Sequence, residues 1–214
     1  MVLADAKVLF ELLNAAGNWL QKAVSEARKQ RDQRAAHVLH DAFVVVAAMR
    51  AYDNAFRPML GELLAFSDAW EADRRQRLSE ELFSFFDVEQ ILPQFRQAFQ
   101  GIESSHWDGA GREALGQLIG SATTFADEIV GEVWKEKENF MTRARLSRAL
   151  EYGGSPDDEK AVHDWAEATA KILDRHLLAE ADNAFGELRQ AILAAHKLPD
   201  PGYAVSLSGI ERPG

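Results

Sequence analysis

Residues 28–56 read RKQRDQRAAHVLHDAFVVVAAMRAYDNAF, and whether this stretch is one helix or the end of one and the start of another decides the fold. It opens on basic residues, passes two histidines and then runs apolar from Ala42 to Met49. Between Gln21 and Asn54 there is no Gly or Pro, and around RKQRDQR only Ser25 or Asp32 has a side chain suited to capping a new helix. Charged residues do not end a helix, so the reading favours continuity through RKQRDQR, with a tight turn there as the alternative. Upstream, Val8, Leu12, Ala16, Trp19, Ala23 and Ala27 recur at helical spacing and form one apolar face. The expectation is a rod from about Asp5 to Phe56, long enough to need long partners. Pro58 lacks an amide hydrogen and is expected to end or kink that rod near Phe56.

Downstream the segments are shorter. MLGELLAF resumes a helical pattern, and SDAWEADRRQRLSEELFSFF has a charged start followed by Leu78, Leu82, Phe83, Phe85 and Phe86, an aromatic end cap for the core. DVEQILPQFRQAF reads as a helix with Asp87 as its N-cap and Pro93 as a kink or a restart. GIESSHWDGAGREAL, Gly101 to Leu115, is the clearest loop. Leu115, Leu118, Ile119, Ala122, Phe125, Ala126, Ile129, Val130 and Val133 describe another helical face, which continues less clearly through Trp134, Phe140 and Leu146 to Leu150. Gly116, Gly120 and Gly131 in this segment would let another backbone approach closely. In EYGGSPDDEKAVHDW, Gly153 and Gly154 stop a helix, Ser155 caps the next and Pro156 suits its first turn, followed by acidic Asp157, Asp158 and Glu159. An apolar stripe from Val162 to Ile192 then ends just before Pro199.

The fold class is therefore all-α: an irregular antiparallel helical bundle with three long helices and shorter connecting helices. The long helices span about Asp5–Phe56, Gly111–Leu150 and Pro156–His196, and the connecting ones lie between Pro58 and Gln100. Residues 1–198 are expected to form a single helical bundle domain, with 199–214 an extended or flexible C-terminal tail. HDAFVVVAAMRAYDNAF and HDWAEATAKILDRHLLAEADNAF begin and end alike, but their unequal lengths favour shared helix vocabulary over duplication.

Composition narrows the function classes. The formal charge is −10, which disfavours nucleic acid and anionic lipid as partners while leaving a local basic patch open to them. There is no cysteine, so disulfides, thiolate zinc sites and cysteine nucleophiles are excluded, and a cytoplasmic setting fits. Asp5, Lys7 and Glu11 interrupt the N-terminal segment, which reads as an amphipathic helix and not as a signal peptide. Ala42–Met49 is too short to cross a membrane.

The chemical signals cluster in the opening stretch. His37 and Asp41 are four apart, as are His163 and Glu167, so each pair can share a helix face and an acid can orient an imidazole. Arg31 precedes His37 by six positions, Arg34 precedes His40 by six, and Arg189 precedes His196 by seven. This spacing resembles the arginine–histidine signature of HEPN-type helical ribonucleases. The more specific versions of that signature place a polar residue after the arginine, a condition that Arg31 meets with Asp32 and Arg34 does not meet with Ala35. The resemblance implies a dimer cleft in which Arg31, His37, Arg34 and His40 act on an RNA phosphate without metal.

For metal, Glu103 and His106 form one E-x-x-H and His37 and His40 one H-x-x-H, but a di-iron bundle needs a second E-x-x-H helix. Glu128, Glu132 and Glu136 read as a solvated face, and neither a metal site nor a cofactor is expected. Trp19, Trp134 and Trp165 sit at core positions, whereas Trp70 and Trp107 lie beside turns. The leading expectation is a non-enzymatic protein-interaction or adaptor module with a protein partner, a homodimer being credible. Arg28, Lys29, Arg31, Arg34, Trp70 and Trp107 are its candidate contact residues. The alternatives are the ribonuclease and a small-ligand or metal-binding bundle.

Overall fold

The computed structural model describes residues 2–26, 30–67, 70–86, 92–126, 146, 148–152, 156–173 and 177–198. Their regular structure is helical, and no strand occurs among them. The helices with full bounds are α1 (Val2–Glu26), α2 (Gln30–Leu64), α3 (Ala72–Phe86), α4 (Leu92–Ser104), α5 (Arg112–Phe125), α6 (Pro156–Leu173) and α7 (Leu177–His196). This is the all-α bundle that the apolar periodicities required. Leu12, Phe125 and Leu173, one from each long apolar segment, are all buried. Among the described residues no helix is long and apolar enough to cross a membrane.

Two compact units are interleaved along the chain: residues 1–54, 91–123 and 177–214 in the first, 55–90 and 124–176 in the second. In unit 1 every residue from Ala35 to Met49 is buried except His37, His40 and Asp41. A helix apolar on nearly all sides must be covered on nearly all sides, and α2 accordingly lies at the centre of this unit. Phe43 packs on Phe185 of α7, with ring centroids 6.0 Å apart. Farther along, the Arg50 guanidinium grips Asp182 of α7 with two hydrogen bonds, Nε to Oδ1 at 2.7 Å and Nη2 to Oδ2. Near the start of α2, Asp32 accepts a hydrogen bond from His196 Nδ1 at 2.8 Å. Burial raises the Tyr52 phenol well above its ordinary value, so this side chain stays protonated and neutral inside the core.

The rod expected from Asp5 to Phe56 is corrected to two helices. Leu13 and Leu20 of α1 line the same hollow as His37 and Val44 of α2. One uninterrupted helix would hold Leu13 about 46 Å from Val44. The first two helices therefore lie side by side, as the alternative reading required. Leu12, Ala16, Trp19 and Ala23 are buried as their spacing predicts.

Pro58 does not end α2, which continues to Leu64. The ring is exposed, while Phe56, Met59, Leu60 and Leu63 around it are buried. Burying such side chains contributes about 1.5–3 kcal/mol each, which together outweighs the roughly 3 kcal/mol cost of an interior proline. In unit 2, Phe56 meets Trp165 of α6 edge-on at 6.2 Å, and His163 of α6 donates a 2.8 Å hydrogen bond from Nε2 to the Phe66 carbonyl. Leu78 and Leu82 of α3 are buried, whereas the side chains of Phe83, Phe85 and Phe86 lie outside the described residues.

The loop expected over Gly101–Leu115 is shorter. α4 runs to Ser104 and α5 begins at Arg112, because Ile102, Ala114 and Leu115 have core positions to fill. The serines help: Ser105 Oγ donates to the Ile102 carbonyl at 2.7 Å, closing the end of α4. Gly111 has φ of 78°, and a Cβ there would lie 2.9 Å from Leu188 of α7, so any other residue would be strained. Pro93 falls in the first turn of α4, in keeping with a restart, and Asp87 lies outside the described residues.

α6 begins at Pro156 and α7 ends at His196, both as expected, with Lys197 in the left-handed conformation closing α7. The Pro156–His196 segment is described as two helices, and the unit division falls between them. Of the segment expected over Gly111–Leu150, residues 127–145, with Trp134, Phe140, Glu128, Glu132 and Glu136, lie outside the described residues, as does the tail from residue 199. Gly116 and Gly120 are exposed, and nothing lies within 4 Å of a Cβ built on either, so the close approach expected at these two glycines is corrected. Gly131 lies outside the described residues. We predict that Gly116→Ala and Gly120→Ala each raise stability by about 0.5–1 kcal/mol, read as a shift in the urea midpoint. A loss of stability would mean that these positions are covered.

Candidate functional site

Unit 1 contains a hollow of about 550 Å³ between α1, α2 and α4. Its walls follow directly from helix periodicity. α2 contributes His37, His40, Asp41 and Val44, and α4 contributes Gln94, Gln97, Ala98 and Gly101, each set spaced i, i+3, i+4, i+7 along one face. Leu13 and Leu20 of α1, seven apart, form the third wall. The volume is in the range of ligand clefts, roughly 300–1,000 Å³.

The hydrogen bonds of the two histidines define what they present. His37 Nδ1 is 2.8 Å from the Gln33 carbonyl, one turn back on α2. His40 Nδ1 is 3.0 Å from Asp41 Oδ1. A carbonyl and a carboxylate only accept, so in the neutral imidazoles both Nδ1 atoms carry the hydrogen and both Nε2 atoms are acceptors. Asp41 sits against the bare backbone of Gly101, where a Cβ would collide with its carboxylate. The side chains of His40 and Asp41 are 20% and 27% exposed, so water reaches the pair.

The residues singled out from the sequence are placed unevenly. His37 and His40 come together along the hollow, whereas Arg31 and Arg34 are not among its lining residues. Arg31 is exposed. Arg34 is committed to the loop after α4, its Nη2 donating to the Ser105 carbonyl and to the His106 carbonyl at 3.3 Å. Arg28 and Lys29 lie outside the described residues. Trp107 is 6% exposed, donates from its indole nitrogen to the Ala110 carbonyl at 2.9 Å, and packs on His196 with ring centroids 5.7 Å apart. In unit 2, Trp70 is half-buried between Phe66, edge-on at 5.8 Å, and Arg74, whose guanidinium carbon lies 3.4 Å over its ring.

The pairs expected at four-residue spacing are not the ones that form. His37 turns to the Gln33 carbonyl and leaves Asp41 to its neighbour His40. His163 is tied to Phe66 by its hydrogen bond, while Glu167 meets Lys171 at 3.5 Å. Glu103 is in the last turn of α4, and His106 lies beyond it with φ of 46°, its Nδ1 donating to the Ser104 carbonyl at 2.7 Å. Among the described residues, no three His, Asp or Glu side chains gather in a group that could hold a metal ion.

Comparison of the chain with protein-family models, curated proteins and solved structures finds no match.

The two flanking walls are what sequence reasoning missed. Leu13, Leu20, Gln94 and Gln97 carry no chemical motif, and only the pairing of helices brings them opposite His37 and His40. Gly101 was a usable signal. Unlike Gly116 and Gly120, this helical glycine leaves space that a neighbour takes, here the Asp41 carboxylate.

Proposed function

We propose that this chain is a non-enzymatic interaction module whose docking site for a protein partner is the hollow between α1, α2 and α4. The mixture on its walls carries the reading. Leucine, valine and alanine surface is set beside a carboxylate and two imidazoles in one recess, the combination of apolar contact and fixed polar groups that protein interfaces use. The ribonuclease alternative also draws on His37 and His40, but it needs an arginine at the same phosphate. Arg34 holds backbone carbonyls instead, and Arg31 is not among the lining residues.

Gln97 is exposed and lines the hollow, so Gln97→Trp fills the mouth without entering the core. Arg31→Glu reverses charge at the basic end of α2. We predict that the proteins retained by the wild type from native lysate are lost with Gln97→Trp and kept with Arg31→Glu. An unchanged set on Gln97→Trp contradicts the docking site. Loss on Arg31→Glu alone moves it to the basic helix end.

A further inference from the structure

Resting on that docking reading, we infer that the hollow selects a basic side chain, arginine or lysine, carried on an apolar segment of the protein partner. With their Nδ1 hydrogens engaged by Gln33 and Asp41, His37 and His40 offer acceptor nitrogens. Asp41 is acceptor-only when ionised, and the glutamine amides match either sense. The complement to such a set is a head with donors and no acceptor, which among side chains points to a guanidinium or an ammonium.

Charge points the same way. With neutral imidazoles, Asp41 leaves the lining with a single negative charge, and the whole chain carries a formal charge of −10. That field draws cationic segments in and turns anionic ones away. A phosphate or carboxylate in the hollow would face the Asp41 carboxylate and two acceptor nitrogens, a penalty that acts as selection. The apolar wall completes the match, since the methylene stem of Arg or Lys can lie along Leu13, Leu20 and Val44. The recess is also larger than one such side chain, which leaves room for its apolar neighbours.

A displayed library of short random peptides, selected on the wild-type protein and in parallel on Asp41→Asn, tests this. The substitution is isosteric, and circular dichroism is the check that the helices are retained. Peptides that bind the wild type and are lost on Gln97→Trp are expected to share an Arg or Lys flanked by apolar residues. That preference disappears on Asp41→Asn, and a chosen peptide binds the variant about tenfold more weakly. Peptides that need the hollow but lack a basic residue, or bind Asp41→Asn equally well, overturn the inference while the docking site stands. If no selected peptide depends on the hollow, both fail.

Discussion

Phe43→Ala is expected to remove about 3–5 kcal/mol of folding stability, the cost of emptying a large aromatic site in a close-packed core. Phe43 is fully buried within α2 and packs on Phe185 of α7. Both the transfer energy of the ring and the contacts it leaves vacant count against the variant, because α2 is hemmed in by its neighbours and cannot collapse into the gap. Domains of this size are stable by about 5–15 kcal/mol, so the loss is a large fraction of the total. Urea unfolding followed by circular dichroism measures it as a lower midpoint. Leu64→Ala is the control: Leu64 is 41% exposed, and its truncation is expected to change stability by less than about 0.5 kcal/mol. A small effect of Phe43→Ala would mean that α2 is not the central helix of unit 1.

Asp182→Ala is expected to cost about 2 kcal/mol, between the values typical of surface and buried pairs. Arg50 interrupts a run of buried residues, and its planar fork meets both oxygens of Asp182. The side chains are 24% and 25% exposed, too sheltered for the near-zero value of a surface pair and too wet for the full penalty of a buried one. A double-mutant cycle with Arg50→Ala is expected to give a coupling of about 1–2 kcal/mol that persists at high salt, since the pair is partly shielded from mobile ions. Zero coupling would show that the two side chains do not meet in solution.

These two variants also show what the sequence makes legible. The centrality of α2 is readable from Ala42–Met49, because a helix stretch without a polar face needs cover all round. The start of α6 is readable at Pro156, whose fixed φ suits a first helical turn. The break between α1 and α2 is not, since no Gly or Pro between Gln21 and Asn54 opposes a helix. It shows only in the packing, where Leu13 and Leu20 of α1 line the same hollow as His37 and Val44 of α2. Partners distant in the chain are equally hidden: Arg50 and Asp182 are 132 residues apart, Asp32 and His196 164. The hollow is harder still, because periodicity shows each wall but not which walls meet.

Docking of a protein partner in this hollow is tested most directly by site-specific photo-crosslinking in cells. A photoreactive phenylalanine analogue replaces Gln94, which is exposed on the hollow, or Lys160, which is exposed on α6 in the other unit. Irradiation is expected to join a discrete protein partner at Gln94, and Lys160 is expected not to capture it. No adduct at Gln94, or equal capture at both positions, would contradict the docking site.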